Sequence, residues 1–245
     1  MAQSGLALRF ETLAYIVAFR LYVRSRAANG DVLSREERLW VIVAAILGAA
    51  VGSRVLFWFE DPAQTLRRWT DLAYLLSGKT IIGALLGGTM AVERTKNRLG
   101  IRQRTGDLFA IPIAVGIAIG RIGCLLAGKQ DDTFGTPTSL AWGIDLGDGV
   151  PRHPVQLYEV LAMTVVATLL ARIAPPRFRN GDRYRVLLIL YFFWRLLVDF
   201  LKPYPRFAGL GTLQWACVAG LLWYARDAVR IIASMNTQRE ELAHG

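Results

Sequence analysis

Charged side chains interrupt several long apolar runs of this 245-residue chain. A charge in hydrocarbon is costly unless it is paired or hydrated, so ionisable residues retained inside such runs indicate a functional site. Such residues occur in six predicted helices: Glu11, Arg54, Lys79, Arg121, Glu159, Arg195 and Asp199.

These residues comprise four cations and three anions, and Lys129 and Arg152 nearby make the group more positive. A guanidinium group presents a planar fork of donors that matches phosphate oxygens better than a lone ammonium does. The set therefore predicts a site for an anionic phospholipid headgroup.

Packing explanations for the same charges stay open. Arg195 and Asp199 are four residues apart on one helix face, so they can form an ion pair that only fixes packing, and a structural pair is equally open for Arg121 with Glu159. The remaining three have explanations at the membrane surface: Arg54 and Lys79 can extend to the outer headgroups, and Glu11 can lie at a hydrated helix end.

The elements that carry these charges are apolar runs long enough to cross about 30 Å of hydrocarbon. With 53% hydrophobic and 20% charged residues, the composition predicts an all-α polytopic membrane protein, formed as a single transmembrane domain over residues 1–245. The predicted helices are Leu6–Val23, Leu39–Phe59, Leu72–Val92, Asp107–Ala127, Pro154–Ala171, Val186–Leu201 and Gly211–Ala225.

Lysine and arginine are distributed unequally between alternate connections, and the cytoplasmic side normally carries the excess. The poorer set holds Arg67, Arg68, Lys129, Arg152, Lys202 and Arg206, whereas the richer set includes Arg94–Arg104 and Arg172–Arg185. This asymmetry predicts an external N-terminus, a cytoplasmic C-terminus and an outer loop at about Gly128–Arg152. The charged residues listed above then fall in the outer half of the membrane. The net charge of +10 is assigned to topology, and no nucleic-acid partner is predicted.

Small residues and cysteines are assigned to packing. Gly48/Gly52, Gly83/Gly87 and Gly116/Gly120 have the four-residue spacing that lets membrane helices approach closely. Both cysteines, Cys124 and Cys217, fall in or beside apolar helices, so neither a disulfide nor a metal site is predicted.

Three runs occur in an order and spacing that resemble one enzyme family. They are Gly120–Gly123 (GRIG), Arg152–Glu159 (RHPVQLYE) and Tyr191–Phe200 (YFFWRLLVDF). Together they resemble the prolipoprotein diacylglyceryl transferases, and the second run is the most specific.

The resemblance implies transfer of the diacylglyceryl group of phosphatidylglycerol to a prolipoprotein cysteine. The reaction would occur at the outer face of the bacterial inner membrane, with no metal or other cofactor. It further implies that Arg121 and Arg195 bind phosphate and that Asp199 orients Arg195. Glu159 is assigned with them, and Gln156 and Tyr158 of the second run are assigned to substrate binding.

The chain departs from the family on the acceptor side. Family members carry a histidine, thought to be the base, where this chain has Ile82, and Cys124 and Lys129 replace an asparagine and an acid. Three interpretations follow: a transferase with another base, a paralogue with the same lipid but another acceptor, or a non-catalytic lipid-binding subunit. The candidate bases are His153, Glu11 and Lys79, and an imidazole can accept a proton near neutral pH.

Overall fold

The computed structural model describes residues 2–131, 133–172 and 180–244, so Arg177 and Arg179 of the inner connections lie outside the described residues. The described chain is mostly helical, with one two-stranded antiparallel pair. The helices are α1 Ala2–Asn29, α2 Arg35–Trp58, α3 Pro62–Arg67, α4 Leu72–Ser77, α5 Ile81–Arg98, α6 Asp107–Ala127, α7 Val155–Arg172, α8 Asp182–Val198 and α9 Thr212–His244. Two 3₁₀ turns cover Gly128–Asp131 and Asp199–Leu201, and the strands are β1 Ile144–Asp145 and β2 Pro151–Arg152.

Three helices of the described chain, α2, α6 and α7, are long and apolar enough to cross a membrane. The chain is therefore an all-α membrane protein in class. Charged residues interrupt α1, and α8 has 17 residues, so the count of seven spans and the external N-terminus stay proposals.

The predicted third helix, Leu72–Val92, is wrong as a single element, because the structure divides it into α4 and α5. Lys79 lies in the break, and the hydroxyl of Thr80 accepts a hydrogen bond from the Gly83 amide to begin α5. The Thr80 amide and hydroxyl both donate to the Ser53 carbonyl, at 3.2 and 3.1 Å. These contacts fix a break within an apolar run, which hydropathy alone does not reveal.

The predicted helix Asp107–Ala127 is confirmed with both ends as α6, and the other predicted helices are present with shifted ends. The start of α2 lies at Arg35 rather than Leu39, because Ser34 and Glu37 form a reciprocal capping box. The last helix continues beyond Ala225 to His244 as one element. The outer loop, predicted as irregular, contains the short β1–β2 pair.

By its internal contacts the chain divides into two compact units. Unit 1 comprises Met1–Gly30, Thr105–Pro203 and Tyr224–Gly245. Within it α6 packs against α1, α7 and α8. Tyr22 stacks on Phe109 with ring centroids 4.8 Å apart, and the Asp107 carboxylate accepts hydrogen bonds from the amides of Gly181 and Tyr184 at 2.6 and 3.2 Å. These contacts hold the start of α6 to the start of α8.

The same end of unit 1 contains an ion-pair network between α8 and α9. Arg230 donates to both oxygens of the buried Asp182 at 2.9 and 2.6 Å, and it also contacts Asp227 at 3.1 Å. Arg185 lies 3.2 Å from Asp182 and 3.3 Å from Asp227. The network fixes α9 to the beginning of the helix that carries Arg195.

Unit 2 comprises Asp31–Arg104 and Tyr204–Trp223, and its centre is the contact between α2 and α5. A Cβ added to Gly52 would overlap the carbonyl oxygen of Gly83, and a Cβ on Gly83 would overlap that of Gly52. A Cβ added to Gly87 would likewise overlap the carbonyl oxygen of Gly48. The packing interpretation is confirmed for these two glycine pairs, because the two backbones touch at all four positions.

The third glycine pair differs. A Cβ on Gly116 would make ordinary contact with Ala18 at 3.4 Å, and one on Gly120 would meet nothing within 4 Å among the described residues. Close approach therefore does not require glycine at Gly120.

Two adjacent glycines of α5 provide a matched test of this packing. Gly87→Ala should destabilise the protein strongly, because its Cβ would lie 2.8 Å from the Gly52 Cα and overlap a carbonyl oxygen. Gly88→Ala should be tolerated, since its nearest neighbour would be at 3.4 Å. Thermal unfolding in detergent measures both, and equal melting temperatures for the two variants would contradict the close packing of α2 on α5.

Candidate functional site

A buried ion pair joins the middle helices of unit 1. The Nε atom of Arg121, in the last turns of α6, lies 2.9 Å from Oε2 of Glu159, in the second turn of α7. Both side chains are buried. The Nε–H bond is not directed at the carboxylate, so this contact is an ion pair rather than an aligned hydrogen bond.

A second arginine reaches the same carboxylate from α8. Nη1 of Arg195 lies 3.4 Å from Oε2 of Glu159, while its Nη2 lies 2.8 Å from Oδ1 of Asp199. Glu159 is thus positioned between two guanidinium groups. Asp199 contacts the second of them.

Two further residues complete this arrangement, and the sequence analysis did not assign them to the site. The Tyr191 hydroxyl donates to Oε1 of Glu159 at 2.9 Å. Lys202 is only 2% exposed, and its Nζ lies 3.3 Å from Oδ1 of Asp199. Lys202 follows Asp199 by three residues, and this spacing from Arg195 and Asp199 could have indicated the contact. In the sequence Lys202 was instead counted as a loop residue that determines topology.

We call Arg121, Glu159, Arg195, Asp199 and Lys202 the buried charge cluster. It contains three cations and two carboxylates, joined by the contacts above. One positive charge is therefore in excess in a region removed from water, where electrostatic interactions are strong. Across the described residues no three His, Cys, Asp or Glu side chains form a metal-binding group.

The outer loop places its two cations around one carboxylate. Nζ of Lys129 lies 2.7 Å from Asp148, and Nη1 of Arg152 lies 2.5 Å from the other oxygen of Asp148. The hydrogen bond from Arg152, followed by that from Lys129, holds the pKa of Asp148 well below its usual value. Lys129 and Arg152 therefore add less positive charge than the sequence suggested, because Asp148 offsets one of them.

The loop is attached to the buried charge cluster through the backbone. The Thr136 amide donates to the Leu201 carbonyl at 2.7 Å, and the Thr136 carbonyl accepts from the His153 amide at 3.0 Å. Leu201 directly precedes Lys202. Thr136 thus ties the segment that carries His153 to the segment that carries the third cation.

The ring of Tyr158 lies beside the imidazole of His153. Its Nδ1 lies 3.5 Å from the Tyr158 hydroxyl, at the outer limit of a hydrogen bond. That hydroxyl accepts from the Trp142 indole at 2.8 Å, which leaves its own proton free to point at the imidazole. The structure thus brings two predicted site residues, His153 and Tyr158, together.

Gln156 lies in the first turn of α7 and is 1% exposed. Neither its amide oxygen nor its amide nitrogen has a hydrogen-bond partner among the described residues. This residue, assigned from the sequence to substrate binding, is thus positioned on the helix that carries Glu159.

Three further predicted site residues are Glu11, Arg54 and Lys79. Glu11 lies on α1, where its carboxylate accepts from the Tyr15 hydroxyl at 3.3 Å. Arg54 and Lys79 belong to unit 2, where Arg54 donates to the Ala50 carbonyl of its own helix at 3.0 Å and Lys79 is exposed. Lys79 precedes the start of α5, so it does not lie on the same helix as Ile82.

A helical membrane protein with buried arginines paired to carboxylates is the class that these observations define. The sequence matches the prolipoprotein diacylglyceryl transferase family over residues 5–230, and the chain belongs to this family of transferases. It is 31% identical to the phosphatidylglycerol–prolipoprotein diacylglyceryl transferase of Bordetella bronchiseptica, with 89% of this chain and 88% of that protein covered.

Two further relatives carry the same description. The Campylobacter lari protein is 30% identical over 74% of this chain and 68% of its own length. The Paracidovorax citrulli protein is 26% identical over 92% of this chain and 94% of its own length. The similarity therefore extends across both units of the chain.

Glu159→Gln tests the electrostatic role of the central carboxylate. The amide keeps the shape and can still accept from Tyr191, but two buried guanidinium groups would lose their shared counter-charge. We expect a loss of roughly 3–5 kcal/mol in the free energy of unfolding, the range for breaking a buried ion pair. Denaturant unfolding in detergent measures it.

The exposed pair Arg68–Asp71 provides the control. Its side chains are 48% and 37% exposed, and the asparagine of Asp71→Asn can still cap α4. This variant should unfold almost like the wild type. If Glu159→Gln were equally mild, Glu159 would not balance the two arginines.

Proposed function

We propose that the chain is a phosphatidylglycerol-dependent diacylglyceryl transferase that modifies the cysteine of prolipoproteins at the outer face of the bacterial inner membrane. The observation that carries this proposal is the buried charge cluster, with its single excess positive charge. The relatives are named for the same lipid and the same protein substrate.

Phosphate binding is the role proposed for the two arginines and Lys202. Among the described residues, Nε of Arg121 contacts Glu159, and its Nη1 lies 3.8 Å from the sulfur of Cys124. Its Nη2 group is therefore available to a ligand. A lipid phosphodiester carries one negative charge, which would neutralise the excess charge of the cluster.

The proposed reaction is a displacement at carbon. The cysteine sulfur attacks the glycerol carbon that bears the phosphate, a C–S bond forms and the C–O bond breaks. The electron pair of that bond leaves with the phosphate oxygen, and the thiol proton passes to a base. Preorganised cations stabilise the charge that grows on the departing phosphate.

The charge of the cluster also favours release of the product. The departing glycerol phosphate carries nearly one more negative charge than the phosphodiester at neutral pH, because a phosphate monoester loses its second proton near pH 6. Bound product would leave the site with an excess negative charge in a region of low dielectric constant, which favours its departure to water.

The proposed base is His153, and Glu11 and Lys79 are the alternatives. Ile82 occupies the family histidine's position and is 1% exposed, so no proton acceptor stands there. His153 is connected through Thr136 to the segment beside Lys202, and Tyr158 holds its ring.

A second candidate is supported by the same substitution. With Ile82 in place of the histidine, the cations that bind the lipid phosphate can support transfer to another acceptor, such as a hydroxyl or an amine. A lipid-binding subunit without catalysis is the third possibility, because the arginines alone suffice to bind phosphate.

The proposed orientation has seven spans with an external N-terminus and a cytoplasmic C-terminus, and places the loop Gly128–Arg152 outside. In a variant without native cysteines, Ser139→Cys should react with an impermeant thiol reagent added to intact spheroplasts. Gln103→Cys should react only after the membrane is opened. The reverse pattern would contradict an outer-leaflet site.

Purified protein with labelled phosphatidylglycerol tests the reaction. Glycerol phosphate should be released only with a lipobox cysteine peptide. Release with a serine or amine acceptor instead would support the paralogue, and binding alone would support the lipid-binding subunit.

Arg121→Lys should lower turnover at least tenfold, about 1.4 kcal/mol in the barrier, because the fork of donors is lost.

Two variants complete that assay. His153→Gln should lower kcat, since an amide cannot accept the thiol proton. Arg68→Lys, at an exposed pair, should behave as the wild type. Normal turnover by Arg121→Lys would rule out phosphate binding by the arginines, and an unchanged kcat for His153→Gln would exclude His153 as the base.

A further inference from the structure

One buried amide in unit 1 stands without a hydrogen bond. Both Oε1 and Nε2 of Gln156 lack a partner among the described residues, although the side chain is 1% exposed. A buried polar atom without a hydrogen bond loses its contacts with water and gains none in return, which destabilises the folded protein. A leucine or methionine would fill the same space without that cost, so a buried amide here requires an explanation.

Another glutamine shows how this chain satisfies a buried amide for structural purposes. Gln214 is also 1% exposed, and its Oε1 accepts a hydrogen bond from the Gly211 amide at 2.8 Å at the start of α9. Gln214 caps a helix. Gln156 has no such task within the described residues.

The position of Gln156 relative to the buried charge cluster indicates what it meets. It precedes Glu159 by three residues on α7, so the two side chains lie on one helix face, about 4.5 Å apart along the helix axis. The offset runs toward the N-terminal end of α7, which the outer loop precedes. A phosphate held beside Arg121 and Glu159 would therefore have Gln156 on its loop-facing side.

We infer that the Gln156 amide binds the hydroxyl groups of the lipid's glycerol headgroup and thereby selects that headgroup over an amine-bearing one. This inference rests on the proposed function, because it takes phosphate to be bound by the arginines. The acyl chains then extend into the membrane, and the headgroup glycerol extends toward the outer loop and reaches Gln156.

The chemistry of the amide matches a diol. Each hydroxyl can donate to Oε1 and accept from Nε2, so two neighbouring hydroxyls satisfy both halves of the amide. An ethanolamine ammonium has three donors and no acceptor, which leaves the Nε2–H bonds unsatisfied and directed toward a cation. A site built around hydrogen bonds to a hydroxyl discriminates strongly against an analogue that lacks it.

Calorimetric titration of the full-length protein in detergent tests the inference with dioctanoyl phosphatidylglycerol, phosphatidic acid and phosphatidylethanolamine. Phosphatidic acid has the phosphate but no headgroup glycerol, so its affinity measures phosphate binding by the arginines alone. Gln156→Met should weaken phosphatidylglycerol binding about tenfold and leave phosphatidic acid binding unchanged. The discrimination against phosphatidylethanolamine should fall by the same factor.

Gln214→Met is the matched control, since it removes an equally buried amide and should change the affinity ratios of the three lipids by less than twofold. Equal weakening of all lipids by Gln156→Met, or no weakening, would overturn the headgroup assignment alone. If no lipid binds the wild type, or if Arg121→Lys leaves phosphatidic acid binding unaltered, phosphate binding by the arginines is itself refuted. The two proposals therefore fail in different arms of one experiment.

Discussion

The ion pairs of Glu159 with Arg121 and Arg195 are the interaction on which the rest of unit 1 depends. Two guanidinium groups from α6 and α8 meet at this one side chain of α7, and without it they would repel one another in a region that excludes water. Three helices are thereby fixed by a single shared counter-charge. The arrangement needs both arginines close enough to share one anion, which is the separation at which they can also share a phosphate.

Part of this site was predictable from the sequence. Charges inside apolar runs are costly, so Arg121, Glu159, Arg195 and Asp199 could be recognised by type and position, and the structure joins them. Lys202 could not be recognised in that way, because it follows the apolar run, where a lysine normally marks a membrane boundary. Its burial arises from the 3₁₀ turn Asp199–Leu201, which folds the chain back on Asp199.

The fold shows the same division between local and tertiary information. The glycine spacing of α2 and α5 predicted close packing because a four-residue repeat defines one helix face. The break at Lys79 was missed, since hydropathy continues across it and the cause is a contact with Ser53, far away in sequence. Arg54 and Lys79 were grouped with the other charges by depth alone, and that grouping stays a prediction.

The glycine contacts between α2 and α5 also bear on how the protein assembles. During synthesis α2 enters the membrane while α5 has not yet been made, and lipid tails cannot fit a bare backbone surface as closely as another backbone does. The groove at Gly48 and Gly52 therefore stays poorly filled until α3, α4 and α5 have emerged. The contact between α2 and α5 forms only when α5 has been made, so the order of translation imposes a delay on the packing of α2.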